Sequence, residues 1–318
     1  MLEQVEHAIK KLGPYDEGET VILACSGGAD STFLAYSWAE ISKAITLPSP
    51  VVVVVNHCQQ SSSETNANRA AKLYARLNFE NVEVRDVPST SLKGEHDLRK
   101  ARYAILERAA RDYGANKIFL GHHADDQAET ILQRIMRGTG INGLASMSAK
   151  KKLDPRYRIS SEESPLAHPL FLCRPLLALR AFVIREFLSE VGISWIEDPT
   201  NQEVDYAVRN RIRKEIMPSL ELIATGDPVK ALNKLVFEAQ DWQACVDECL
   251  QESRLFREEP SYLRRQRLRL MLKANGETVS PQRLSDLEGA LLDKGSAVIN
   301  EQLRFSLKGG SLSVVSRG

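Results

Sequence analysis

Nowhere in this 318-residue chain is there an apolar run of the roughly 18 residues that a membrane-spanning helix needs. The opening "MLEQVEHAIKKLG" reads as an amphipathic helix with acidic and polar residues mixed in, so neither a membrane partner nor a cleaved leader is expected. Paired cysteines are lacking as well. Cys25, Cys58, Cys173, Cys245 and Cys249 are odd in number and have no framework spacing, which favours a reducing, cytoplasmic setting. Nor is there an excess of charge: 42 basic side chains stand against 42 acidic ones, so any affinity for nucleic acid must come from a local basic face. Net charge leaves the oligomeric state open, and a homodimer is admitted without being required.

What is present alternates. "TVILAC" (20–25) is a short apolar run followed by a helical pattern from Asp30 to Ser42, and "PVVVVVN" (50–56) reads as a strand buried on both faces. Helix 66–77, strand "NVEVRDV", helix 95–112, strand "KIFLG" and helix 124–136 continue the series. Strands alternating with helices of this length predict a doubly wound, mostly parallel α/β sheet. "AKKKLDPRYRISSEESP" reads as a polar loop, after which the pattern resumes with a helix near Leu179–Val191 and a short "ISWI". Beyond "MPSLELIATGDP" the character changes: residues 228–292 read as helices and 297–315 as short strands. The expected division lies near 218–227, giving a catalytic domain over 1–220 and a smaller, largely helical domain over 221–318 that ends in short strands. No internal repeat is visible.

The turn from the first strand into the first helix, "ACSGGADSTFL", lies at the carboxyl edge of the sheet, where open α/β folds bind ligands. Gly27 and Gly28 permit close backbone approach, Ser26 and Ser31 bring hydroxyls, and the helix N-terminus adds its dipole; together they suit an anion. Asp30 would repel a bare phosphate, which points to a bridging Mg²⁺. The loop has neither the Gly-Lys-Ser/Thr of a Walker A motif nor G-x-G-x-x-G. A second cluster, "GHHADDQAETILQRIMRGTG", opens a helix at the same edge. Asp126 and Glu129 are three residues apart and share a face, with His122 just ahead; such a pair can hold Mg²⁺ or an ammonium group. His123 is read as packing or bonding locally. Arg99 and Arg102 occupy adjacent helical turns and could meet phosphate. Arg209, Arg211, Arg213 and Lys214 put several cations on one short helix, which a solvated basic helix end explains equally well. Cys25 is expected to be a small buried residue rather than a nucleophile.

SGGADS is similar to the pyrophosphate loop of the ATP pyrophosphatase superfamily. SGGADS, GHHADDQAET with RGTG and GLASM, RPLL, and EDPTN with RNRIR, taken in this order, resemble the tRNA(Ile)-lysidine synthetase family over roughly residues 18–220. The resemblance implies an ATP-dependent ligase that adenylates the wobble cytidine of the CAU-anticodon isoleucine tRNA. The ε-amine of L-lysine then attacks, giving lysidine, AMP and pyrophosphate. It implies that Ser26, Gly27, Gly28, Ala29, Asp30 and Ser31 hold ATP, with Asp30 acting through Mg²⁺. It places Asp30, His122, Asp126, Glu129 and Arg102 in catalysis and Arg99, Arg174, Arg209 and Asn210 in substrate binding. Whether His122 or a carboxylate deprotonates the amine stays open. The chain departs from the pattern at "NHCQQ" (Asn56 to Gln60), beside the family's adenine pocket, and at Leu98.

The later run "SRLFREEPSYLRRQRLRLMLK" carries Arg254, Arg257, Arg264, Arg265, Arg267, Arg269 and Lys273, with Phe256 and Tyr262 interleaved. It is expected to meet the tRNA backbone. Three rivals differ in what they need: a 2-thiocytidine-forming relative a cysteine pair, a small-molecule synthetase no basic face, and a non-enzymatic tRNA binder no SGGADS.

Overall fold

The computed structural model describes residues 1–56, 63–87, 95–145, 147–153, 168–197, 208–252 and 255–316. His57, Cys58 and Gln59, the "DPTN" turn at 198–201, and Arg254 therefore lie outside the described residues. The chain divides into two compact units, Met1–Ala239 and Gln240–Gly318.

In the first unit the strands are β1 (Thr20–Cys25), β2 (Ser49–Asn56), β3 (Asn81–Asp86), β4 (Lys117–Leu120), β5 (Lys150–Lys152) and β6 (Phe171–Cys173), and they form one sheet in the order β3-β2-β1-β4-β6-β5. All pairs are parallel except β5 with β6. Alternation along the strands supplies two apolar faces. Val21, Leu23, Val52, Val54 and Phe119 pack on one side with Phe33, Trp38, Ile184 and Leu188. Ile22, Val51, Val53, Ile118 and Leu120 pack on the other with Tyr103, Leu106 and Ala109. The valine run is thus explained: β2 is covered on both faces. Helices α1 (Leu2–Lys11), α2 (Ala29–Ile41), α3 (Ser63–Arg76) and α7 (Ala181–Glu190) contribute to the first layer, and α4 (Glu95–Asp112) to the second.

The chain steps outward from β1 to β2 to β3, then returns to place β4 on the other side of β1. The order therefore reverses between β1 and β4, and the crevice beyond their carboxyl ends is where such a sheet takes a ligand. Helices α2 and α5 (Ala124–Met136) both start there. After α5 come α6 (Ile141–Leu144), α8 (Val208–Arg211), a π-helical turn at Ile212–Ile216 and α9 (Met217–Ile223). Ile212 is fully buried among Ala124, Ala128, Met217 and Val229, which anchors the π turn on α5.

Two local expectations change. Lys150–Lys152, inside the stretch read as a loop, is an antiparallel edge strand. Three consecutive lysines give no apolar signal, yet lysine suits an edge because it discourages further pairing. "ISWI" forms no strand; the Ile196 N–H donates to the Gly27 carbonyl at 2.8 Å. The compact units meet at Ala239, within helix α10 (Pro228–Gln251), downstream of the composition change at 218–227. Val229, Asn233 and Val236 are buried, and Asn233 donates to the Ala124 carbonyl, so the start of this helix packs on the first unit.

The second unit holds α11 (Ser261–Ala274), α12 (Pro281–Lys294) and a three-stranded antiparallel sheet of β7 (Ser296–Val298), β8 (Leu303–Lys308) and β9 (Ser311–Ser316). Phe256, Leu268, Leu272, Leu284, Leu287, Leu291 and Phe305 form its core.

At the opposite, amino-terminal end of the large sheet, Lys117 Nζ meets Glu19 Oε1 at 2.6 Å with both side chains about 5% exposed. Replacing Lys117 by Met leaves Glu19 buried without a cation. We expect a loss of about 3–5 kcal/mol in urea unfolding, with the ligand-binding edge unaffected.

Candidate active site at the carboxyl edge of the sheet

The turn after β1 is held by its own hydrogen bonds. The Ser26 N–H donates to Ser31 Oγ (3.1 Å), the Gly27 N–H to the Tyr74 hydroxyl (3.0 Å), and Ser31 Oγ to the Gly28 carbonyl (3.0 Å). These two amides are therefore consumed internally, and anion binding falls to the first-turn amides of α2, which have no intrahelical acceptor. Gly27 sits at φ +89°, and a Cβ there would lie 2.9 Å from Ile196 and 3.0 Å from Ala70. At Gly121, just after β4, a Cβ would lie 3.0 Å from backbone atoms of Asp30 and Ser31. Both positions need glycine, and the second lets the β4 turn press against the start of α2.

His122 lies on that second turn. Arg174 Nε donates to its Nδ1 at 3.2 Å, and Arg174 NH1 to the Ser148 carbonyl at 2.9 Å. Burial, then Arg174, Arg102, Arg99 and Arg209, push its pKa well below the ordinary histidine value, so the ring is neutral. Arg99 and Arg102 both lie over the Tyr103 ring, and Arg102 Nε is buried without a partner. Cys25 is buried, and burial pushes its thiol up to about 12, which removes it as a nucleophile.

His123 behaves oppositely to its neighbour. It caps α5 with Nε2 3.5 Å from both Asp30 Oδ2 and Asp126 Oδ2, and Nδ1 3.5 Å from Asp125 Oδ2. Burial disfavours a charged ring, but bonds to Asp125 and Asp30 and the field of Asp126 outweigh it and raise the pKa to about 10. With the ring charged, Nδ1 donates to Asp125, and the 3.4 Å approach of the Asp126 amide is a contact rather than a hydrogen bond. Asp125 also receives Arg180 Nε (2.9 Å) and the Ala181 N–H (2.7 Å), which with His123 hold it below the usual carboxylate range against its burial.

Asp126 and Glu129 are 8% and 2% exposed and share two guanidinium groups. Arg209 NH2 reaches Asp126 Oδ1 at 2.6 Å and its Nε reaches Glu129 Oε2 at 2.9 Å. Arg213 Nε reaches Glu129 Oε1 at 2.6 Å, and its NH2 reaches Glu129 Oε2 at 3.0 Å and Asp126 Oδ1 at 3.4 Å. Arg211, between them, points out to Glu215 and is solvated, and Lys214 is exposed as well. Asn210 is half-buried on the same turn.

A cleft of about 180 Å³ is lined by Ser26, Asp30, Arg102, His122 and Asp126 above an apolar floor that includes Val53 and Leu106. A second pocket, of about 480 Å³, shares Asp30 and adds Glu129, Arg185 and Arg213. Asp30 Oδ1 is buried and has no hydrogen-bond partner, as suits a residue that ligates a cation. Among the described residues no group of three or more His, Cys, Asp or Glu side chains could hold a metal by itself, so such a cation would also need oxygens of a ligand.

The structure thus brings Ser26, Gly27, Gly28, Ala29, Asp30, Ser31, Arg102, His122, Asp126, Glu129 and Arg209 to one edge. Arg174 is buried behind His122 and orients it. Asp125, Arg180 and Tyr74 had been given no role, and His123, expected to pack or bond locally, does bond at its own helix start but also reaches Asp30. Only the capping position of His123, three residues before an aspartate, hinted at it, and that pattern is common at ordinary helix starts.

The ATP_bind_3 family model, described as a PP-loop domain, matches residues 1–220. The chain is 30% identical over 68% of its length to a tRNA(Ile)-lysidine synthase of Pseudomonas syringae, covering 44% of that protein. It is 35% identical over 72% of its length to one of Thermobifida fusca, covering 65% of it. The chain spans about half the length of the curated relatives it matches. Among solved structures it is similar to the U34-tRNA thiolase NcsA of Methanococcus maripaludis with its [4Fe-4S] cluster. There the TM-score is 0.56 and the identity 17%, over 76% of this chain and 78% of that one, a likeness of fold.

A neutral buried histidine resists acid. The depressed pKa of His122 means that its contribution to stability is complete above the unfolded value near 6.5 and declines as pH falls toward the folded value. Between pH 7 and 5 the wild type should lose stability by at most about 1.4 kcal/mol per pH unit from this group. His122→Gln should show a shallower slope in urea unfolding.

Proposed function

We infer the function from one premise: this chain belongs to the PP-loop domain family. The reading that fits best is tRNA(Ile)-lysidine synthetase activity: ATP adenylates the wobble cytidine of a CAU-anticodon isoleucine tRNA, and L-lysine displaces AMP. The observation that carries it is the meeting, at one sheet edge, of a phosphate-loop aspartate with an orphaned oxygen and a buried carboxylate pair suited to an amine. The relatives named tRNA(Ile)-lysidine synthase add support.

The amide-rich start of α2 and Ser26 hold the β and γ phosphates of ATP. Mg²⁺ would be held by Asp30 and, when bound, would offset phosphate charge. The cytidine O2 attacks the α-phosphorus and pyrophosphate leaves, which turns a poor leaving oxygen into a phosphate ester. Arg102, which lines the cleft and has a buried Nε without a partner, stabilises the charge that develops. The lysine ε-amine loses a proton, attacks carbon 2, loses a second proton once bonded, and AMP departs. His122 is not the acceptor of these protons. Its Nδ1 is occupied by the Arg174 donor, so Nε2 carries the hydrogen and serves as a neutral donor into the cleft. That leaves Asp126 and Glu129 to receive them.

A tRNA role for the second unit rests on fewer residues than the sequence run suggested. Arg264 is spent on Glu288 and the Glu259 carbonyl, Arg267 on Glu259, and Phe256 on the core. Arg265 lies 3.8 Å from Glu288 as well, so among the described residues Arg257, Arg269 and Lys273 remain as the phosphate contacts, and binding through them weakens as salt rises.

The test is incorporation of radiolabelled lysine with ATP, Mg²⁺ and unmodified CAU-anticodon isoleucine tRNA, with elongator methionine tRNA as comparison. ATP-dependent label in the isoleucine tRNA alone is expected, and Asp30→Ala should lower it by at least about 10²-fold. AMP and pyrophosphate formation without label would retain adenylation and point to another nucleophile. Undiminished turnover in Asp30→Ala would overturn the placement of ATP.

A further inference from the structure

The carboxylates assigned to the amine are already saturated. Arg213 offers its N–H groups to three oxygens, Glu129 Oε1 and Oε2 and Asp126 Oδ1, at 2.6, 3.0 and 3.4 Å. Three acceptors converging on one cation are also what a primary ammonium, with three donors, requires. Glu129 is 2% exposed, and Arg209 meets only its Oε2, so the buried Oε1 needs a second donor: Arg213 can leave only as another cation arrives.

The two arginines are not equivalent. Both span the two carboxylates, but the Arg209 side chain is 23% exposed, whereas that of Arg213 is 49% exposed and fronts the 480 Å³ pocket. Arg213 also lies in the π turn, a local geometry that recurs where a segment repositions side chains at functional sites. Its guanidinium forks as well onto phosphate as onto carboxylate.

We propose that the Arg213 guanidinium occupies the seat of the substrate ammonium ion and yields it when an RNA phosphate accepts the guanidinium instead. This rests on the lysine-transfer reading above and adds a coupling to it. Amine and RNA each favour the binding of the other, by the same factor in both directions. The amine is thereby kept from the carboxylates until RNA is present to receive it.

Calorimetric titration of L-lysine, with and without the CAU-anticodon tRNA, tests this. Wild-type protein should bind lysine about 5- to 150-fold more tightly when tRNA is present. Arg213→Gln should bind it tightly in both conditions, and Arg213→Lys, which keeps a cation without the fork, should fall between the two. Equal or weaker binding by Arg213→Gln overturns the proposal. So does a wild-type affinity indifferent to tRNA, a result that depends on no variant folding. Titration with n-butylammonium separates the two readings. If it binds more tightly to Arg213→Gln while lysine binds neither protein, the seat stands and the choice of lysine falls. If neither ligand gains, the seat itself is wrong.

Discussion

Carboxylates can be buried at the start of α5 only because cations are buried with them. Asp125, Asp126 and Glu129 lie within two turns of one helix, and Asp30 faces them from α2. The N-terminal helix dipole offsets part of this charge. The rest is met by His123 between Asp30, Asp125 and Asp126, by Arg180 on Asp125, and by Arg209 and Arg213 on the remaining pair. These cations come from three parts of the chain, the turn before α5, the start of α7 and the segment of α8 with the π turn, so the requirement for charge balance ties them to the SGGADS turn. It also divides the labour of two adjacent histidines. His122 faces arginines and is neutral, while His123 faces carboxylates and is charged.

Topology supplies the place where these groups meet. The reversal between β1 and β4 opens a crevice at their carboxyl ends, and Gly121 lets the two turns approach within contact distance of backbone. The loop amides of Ser26 and Gly27 are tied to Ser31 and Tyr74, so the turn is shaped before any anion reaches it. Preorganisation of this kind lowers the ordering cost of binding.

Much of this was legible in the chain. Short apolar runs and helical patterns located β1 to β4 and α1 to α5, and SGGADS and the Asp126–Glu129 spacing marked both halves of the candidate site. Other features were not. Lys150–Lys152 carries no apolar alternation, and its pairing with β6 depends on a partner some twenty residues away. Arg209, Arg211 and Arg213 look alike in sequence; buried Ile212 and the π turn decide that the outer two face the carboxylates and the middle one faces Glu215. Of the basic residues near the end, Arg264 and Arg267 look free until Glu288 and Glu259 are seen beside them.

The sequence by itself determined the class of fold, the place of the SGGADS turn and the chemical types brought to the site, because local periodicity and short-range spacing encode them. Tertiary structure alone decided ionisation and availability. Whether a histidine is charged, whether a carboxylate is open to an amine, and whether an arginine is spent or free depend on burial and on partners distant in the chain. Coulombic interactions at a few ångströms in a poorly screened interior outweigh what any residue's neighbours in sequence can signal.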